Sequence, residues 1–303
     1  MQKYLSKKIK TTYKYSRKVV VDILYLISTI LPDYIFLKLI FRLKMGYKLN
    51  LDNPQTFSEK LQWLKLYNRK PEYTTMVDKA SAKEYVAKII GEEYIIPTLG
   101  VWDRFEDIDF DSLPNQFVLK TTHGGGNTGV VICKDKSSFD KESAKAKLNK
   151  SLKSCIYRRY KEWPYKDVKH RIIAEEYITD SNGELNDYKF STYNGEVTDV
   201  MICLERNSGD TKFYFFDSNW NLLRYNKRGK DAPTDFTIPK PKNMDKMFEI
   251  AAALSKNTPY LRVDLYNVDG KVYFGELTFF PQSGFDRNLL KETEILFGSR
   301  IKI

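Results

Sequence analysis

Apolar positions follow a helical period in the first ninety or so residues and change to short β-type runs from Phe117 onward. Val20, Leu24, Ile27 and Leu31 recur at helical spacing up to Pro32, which ends that helix or starts the next, so residues 19–43 predict two short amphipathic helices. Thr56 followed by Glu59 has capping-box spacing ahead of a helix whose Phe57, Leu61 and Leu64 share one face. Asp78 precedes another, with a stripe of Ala82, Tyr85, Val86 and Ile89 closed by Gly91. FVLK (117–120), GVVI (129–132) and IIAEEYI (172–178) predict strands, and a Lys-rich, helix-like stretch fills 140–161. YKFSTY (188–193) and VTDVMICL (197–204) flank Asn194-Gly195, a strong hairpin signal. After FYFF (213–216) and a helix near 243–256, LRVDLYN and KVYFGEL form a last hairpin around Val268-Asp269-Gly270. No internal repeat or low-complexity linker interrupts this α+β pattern.

The 303 residues suffice for two average domains or one large enzyme, and 42 % apolar with 14 % aromatic residues excludes a disordered or low-complexity chain. Seven of the eleven excess positive charges sit in residues 1–18 (Lys3, Lys7, Lys8, Lys10, Lys14, Arg17, Lys18), where there is no acid. The charge therefore describes an arm, not a face that wraps nucleic acid, and a nucleic-acid partner is set aside. Cys133, Cys155 and Cys203 lie far apart without CxxC spacing, and His123 and His170 are the only histidines, which excludes zinc sites of the usual spacing and fits a reducing cytosol.

Only ten uncharged residues separate Asp22 from Asp33 in the most apolar stretch, whereas spanning a bilayer takes about twenty. No small-residue cleavage site follows, and the helical pattern continues, which argues against a secretory signal. Two placements fit residues 1–43: a basic, apolar helix lying on the anionic inner face of the plasma membrane, or a helical cap on the body with a basic tail.

Three glycines, Gly124, Gly125 and Gly126, lie between two strands with Lys120 at the end of the first, a phosphate-cradle candidate. Neither GxxxxGK[ST] nor a GxGxxG opening a helix is present, and taken alone such a loop is more often a plain mobile turn. His123, beside the glycines, reads as a loop or substrate contact, and His170 as a satisfied surface or core residue. In the last hairpin Arg262, Asp264 and Glu276 interrupt apolar strands. A three-residue turn Val268-Asp269-Gly270 pairs Asn267 with Lys271 and sets Arg262 opposite Glu276 with Asp264 diagonal, all on one face, where two carboxylates suit hard cations and the guanidinium suits phosphate. A two-residue turn would send Asp264 and Glu276 to opposite faces. A purely structural Arg–carboxylate cluster fits the hairpin equally well.

In this order of motifs the sequence resembles the ATP-grasp superfamily, and specifically its TupA-like branch of bacterial surface-polysaccharide (capsule) and teichuronopeptide biosynthesis. The resemblance runs through FRLKMGYKLNLDNPQTFSEKLQWLKLYNR (41–69), DKASAKEYV (78–86), FVLKTTHGGGNTGV (117–130), IIAEEYI (172–178), DYKF (187–190) and LRVDLYNVDGKVYFGELTFFPQSG (261–284). It implies two α+β subdomains clamping ATP behind an N-terminal helical region: 1–70 the basic arm and helices, 71–178 linking helices and lid, 179–303 the metal-binding and catalytic subdomain. It further implies that Lys79 and Lys120 reach ATP phosphates under Gly124, Gly125 and Gly126. Glu175, Glu176, Tyr177 and Ile178 would border the adenine, and Asp187 and Lys189 the ribose or phosphates. Asp264 and Glu276 would hold Mg²⁺, with Arg262 at the transferred phosphoryl group. Many relatives carry Asn where Thr278 stands, two residues past the metal Glu, so a hydroxyl replaces that ligand. Ser283 and Gly284 match the motif's tail and would line the acceptor site.

The implied reaction is ADP-forming: ATP activates a carboxylate on a glycan or sugar precursor as an acyl phosphate, and an amine donor attacks to give an amide, in the cytoplasm or at the membrane's inner face. A sugar phosphotransferase is the second reading and a glycosyltransferase the third.

Overall fold

The computed structural model describes residues 18–126, 128–183, 185–204 and 211–303. Their strands form two antiparallel sheets. The smaller contains β1 (Thr98–Trp102), β2 (Phe117–Thr121), β3 (Val130–Cys133) and β4 (Ile172–Glu176) in the order β1-β4-β2-β3. The larger contains β5 (Asp187–Tyr193), β6 (Glu196–Leu204), β7 (Lys212–Phe216), β8 (Leu222–Leu223), β9 (Leu261–Val268) and β10 (Lys271–Thr278) in the order β10-β9-β5-β6-β7-β8. This is the α+β architecture that the alternating runs lead one to expect.

Each sheet has its own core. Phe105, Phe110, Phe117, Leu119 and Ala174 pack with Leu148 of a helix over Lys141–Leu152 under the small sheet. The large sheet buries Phe190, Val200, Val263 and Leu265 against three helices, α2 (Phe57–Tyr67), α3 (Glu72–Val77) and α4 (Ser81–Ile90), and against Met244–Leu254. A third cluster joins α1 (Asp33–Met45), through Phe36, Leu37, Ile40 and Phe41, to Leu49 and Phe285. The Thr56 capping box forms: its side chain accepts from Glu59 N–H, and the Glu59 carboxylate accepts from Thr56 N–H at 3.1 Å.

Four local expectations need correction. Strand β1 escapes the sequence pattern because its five residues include Gly100, where its pairing with β4 shifts register. The helix over 140–161 is really two, α5 (Lys141–Leu152) and α6 (Ile156–Tyr160). It breaks because other groups take the carbonyls at the end of α5: Ser154 Oγ donates to Ser151 O at 2.7 Å, His123 Nε2 donates to the same oxygen at 3.1 Å, and His170 Nδ1 donates to Leu152 O at 2.7 Å. His123 is thus no loop or substrate contact but a buried ring, 1 % exposed and stacked on His170 with centroids 3.5 Å apart. Finally, residues 18–26 are helical as expected, but the stripe Val20-Leu24-Ile27-Leu31 is not the buried face; Leu24 packs inward while Val20 and Ile27 face out.

The closing hairpin also differs in detail. Asp269 and Gly270, with φ of 51° and 98°, make a two-residue turn that pairs Val268 with Lys271. Such a turn would separate Asp264 and Glu276, but the register shifts between Phe274 and Glu276, leaving Gly275 as a bulge, and Glu276 pairs directly with Asp264. Thr278, not Glu276, then stands opposite Arg262. The bulge needs glycine, since a Cβ at Gly275 would lie 2.9 Å from Asp264 O.

Candidate functional site

Strands β9, β10 and β5 bring one charged cluster to the inner face of the large sheet. Arg262 donates through Nε to Asp264 Oδ1 at 2.6 Å and through Nη2 to Asp264 Oδ2 at 2.7 Å, Glu276 Oε1 at 3.2 Å and Thr278 Oγ1 at 3.1 Å. Lys189, opposite Asp264 in the ladder, donates to Asp264 Oδ2 and lies 3.1 Å from Asp187. Lys79 Nζ comes within 3.7 Å of Glu276 Oε2. Lys79, Lys189 and Arg262 thus balance Asp187, Asp264 and Glu276, as buried charge requires.

Against the effect of burial, Lys79, then Arg262 and Lys189, hold the Glu276 carboxyl down at about 2. Burial raises the Asp264 carboxyl, and the doubly hydrogen-bonded Arg262 opposes that rise. Arg262 itself is raised, its carboxylate neighbours overcoming desolvation.

The small sheet supplies a second cluster. Glu175 of β4 is 5 % exposed and lies 2.6 Å from Lys83 Nζ and 2.5 Å from Lys120 Nζ. Burial would raise its carboxyl, but Lys120 and Lys83 hold it at about 2. Lys79 ties the two clusters together: its N–H donates to Thr122 O at 2.9 Å, and its Nζ donates to Gly124 O while facing Glu276.

Between the sheets lies a cleft of about 1010 Å³. Lys79, Lys120, Gly125, Gly126, Glu175, Glu176, Tyr177, Ile178, Asp187, Lys189, Arg262, Asp264, Glu276 and Thr278 all line it, as does Ser283. Gly124 does not, its carbonyl being turned to Lys79, and neither does Gly284. A smaller pocket of about 80 Å³ adjoins across Lys189, Arg262 and Gln282, floored by Phe213 and Phe215 and edged by Asp286.

Sequence reasoning missed Lys83, whose place one helical turn after Lys79 was the available signal, and a buried support under the acceptor end. Lys65, fully buried on α2, donates to Gln62 Oε1 at 2.9 Å, Tyr160 O at 3.0 Å and Ser283 O at 2.8 Å, while Ser283 Oγ donates to Glu162 Oε1 at 2.6 Å. These bonds clamp Gln282 and Ser283 in left-handed backbone, φ 49° and 55°. Lys65 and Gln62, polar residues on the buried face of α2 beside Leu61 and Leu64, were its only trace in the sequence.

Two α+β units facing one cleft, with cations and carboxylates on both walls, make the ATP-grasp architecture. A family model described as TupA-like ATPgrasp matches residues 59–302, and the chain belongs to that family. Among solved structures it is similar to D-alanine–D-alanine ligase from Bacillus anthracis, at 18 % identity and TM-score 0.42, covering 75 % of this chain and 67 % of that one. The Helicobacter pylori D-alanine–D-alanine ligase is 14 % identical with TM-score 0.42, covering 82 % and 70 %. D-Cycloserine synthetase DcsG is 15 % identical with TM-score 0.40, covering 75 % and 71 %. No curated protein matches the chain.

Proposed function

We propose that this protein joins a carboxylate on a bacterial capsule or other surface-glycan precursor to an amine, in the cytoplasm, with ATP converted to ADP through an acyl phosphate. One observation carries the chemical part: Asp264, Glu276, Lys79, Lys189 and Arg262 converge on one wall of the cleft, with Lys120 on the other. The glycan part rests on the resemblance to the TupA-like branch.

The donor set suits Mg²⁺, which takes one or two carboxylates and fills its remaining positions with phosphate oxygens and water. Asp264 and Glu276, with the Thr278 hydroxyl beside them, would hold it, and it would supply Lewis-acid neutralisation of the phosphates. Lys79, Lys120 and Arg262 add fixed positive charge where the γ-phosphoryl group passes from ATP to the substrate carboxylate. The acyl carbon then takes the amine nitrogen and releases phosphate. Gly125 and Gly126, next to the Gly124 carbonyl that accepts from Lys79 Nζ, would cover the phosphates and keep water from the acyl phosphate. The pocket beyond Arg262 suits the acceptor; Asp286 on its edge has no ion pair among the described residues, and burial raises its carboxyl.

The Asp-x-Asp run Asp107, Asp109, Asp111, the kind a nucleotide-sugar metal would use, lines no part of the cleft, and Asp107 is held by Arg104 at 2.7 Å. Protein, ATP and Mg²⁺ mixed with candidate acids and amines are expected to release ADP and phosphate only when both partners are present. AMP with pyrophosphate, or amine-independent ADP with a stable phosphosugar, would contradict the proposal.

A further inference from the structure

The N-terminal helix has an outer face that the body leaves bare. In residues 18–26 and the turn after them, Val19, Val20, Ile23, Leu26, Ile27 and Ile30 point outward, with Leu26 80 % and Ile30 81 % exposed. At 100° per residue these six span about a third of the helix circumference. The opposite face, with Val21, Leu24 and Tyr25, packs against α1 and Tyr160. The helix is therefore apolar on two sides while the body buries only one, whereas a helix apolar all round is ordinarily buried. On α1, Ile35 and Leu39 are also exposed, and Lys38 lies over the Tyr34 ring at 4.3 Å.

We propose that this face, with the basic segment before it, docks on the surface of a bilayer carrying anionic lipid. Charge selects that occupant. Residues 1–18 place seven Lys and Arg with no acid immediately before the apolar face, the composition of a segment that lies in an anionic headgroup region. Among the described residues no helix is long and apolar enough to cross a membrane, so the contact is along the surface. A second copy of the chain would gain the apolar contact but would bring two like-charged arms together. The inference concerns where the enzyme works and stands apart from the chemistry proposed above.

The test is co-sedimentation of the full chain with vesicles of phosphatidylcholine alone, or with about 30 % phosphatidylglycerol added to set the surface charge. At about 0.1 M salt the bound fraction is expected to rise at least tenfold with the anionic lipid and to fall at about 0.5 M, where surface charge is screened. The double variant Leu26→Glu, Ile30→Glu is expected to lose the binding while keeping its unfolding temperature and nucleotide binding, since both side chains point away from the body. Equal binding to both vesicle types, binding unchanged in the double variant, or a stable dimer in sedimentation velocity that the double variant dissolves would each overturn the proposal. None of these readouts depends on catalysis.

Discussion

Buried charge does much of the positioning in this molecule, and single residues reveal how. Burial pushes Lys65 down to about 7, opposed by Glu162, and three oxygens accept hydrogen bonds from its Nζ. Replacing Lys65 by Met would leave Glu162 buried without its countercharge and release Ser283. We expect a loss of about 3–5 kcal/mol in denaturant unfolding, with part of it recovered in a Lys65→Met, Glu162→Gln double variant; a loss below ~1 kcal/mol would show the clamp to be slack.

His123 gives a pH effect of definite sign. Burial, then His170, lowers it to about 4, below the 6.5 or so of an unfolded histidine. The unfolded chain takes up the proton first, so this residue's stabilising contribution is whole above about pH 6.5 and fades as pH falls toward 4. The unfolding temperature should drop across that window, and drop less in His123→Asn. Parallel profiles for the two proteins would refute the assignment.

At the scale of elements, the closing hairpin shows what sequence spacing can and cannot reveal. Asn194-Gly195 is read correctly because the turn signal is local, with φ of 53° and 91° at the turn and Tyr193 paired with Glu196 across it, and the register shift beyond Thr192 leaves it untouched. At Asp269-Gly270 the sequence left the turn open between two and three residues; the two-residue turn forms, yet Asp264 and Glu276 still share a face, because the bulge at Gly275 restores the one residue that the shorter turn removes. A bulge has no periodic signature; a glycine between Phe274 and Glu276 was its only trace. The same limit hid β1, short and broken at Gly100, and misplaced the end of α5, set by histidines remote in sequence. The chain was most legible where local pattern decides, in the Thr56 cap, the Asn194-Gly195 turn and the charged positions of the closing hairpin, while Lys79, Glu175, Asp187 and Lys189 came only through the family resemblance; it was least legible where distant residues close a backbone. Gly275→Ala should therefore cost about 1–3 kcal/mol through the close approach to Asp264 O and weaken Mg-nucleotide binding as the two carboxylates part. Unaltered unfolding together with unaltered affinity would remove the bulge from the account.

At the scale of the whole molecule, two sheets with separate cores meet across a cleft, and Lys79 is one group that bridges them, bonding Gly124 O while facing Glu276. A nucleotide that engages both walls should add to that bridge and bind the folded state alone. At one hundred times its dissociation constant it is expected to stabilise the protein by about 2.7 kcal/mol, read as a rise in unfolding temperature that requires magnesium. Lys79→Met should shrink that rise; a full rise in the variant would mean that the bridging role is idle.

The most direct test of the central claim is titration calorimetry of the intact chain with a nonhydrolysable ATP analogue, with magnesium and then with chelator. Magnesium-dependent binding is expected, weakened at least tenfold in Asp264→Asn and in Glu276→Gln while both variants remain folded. Binding of the same strength without magnesium, or unchanged in both variants, would contradict it.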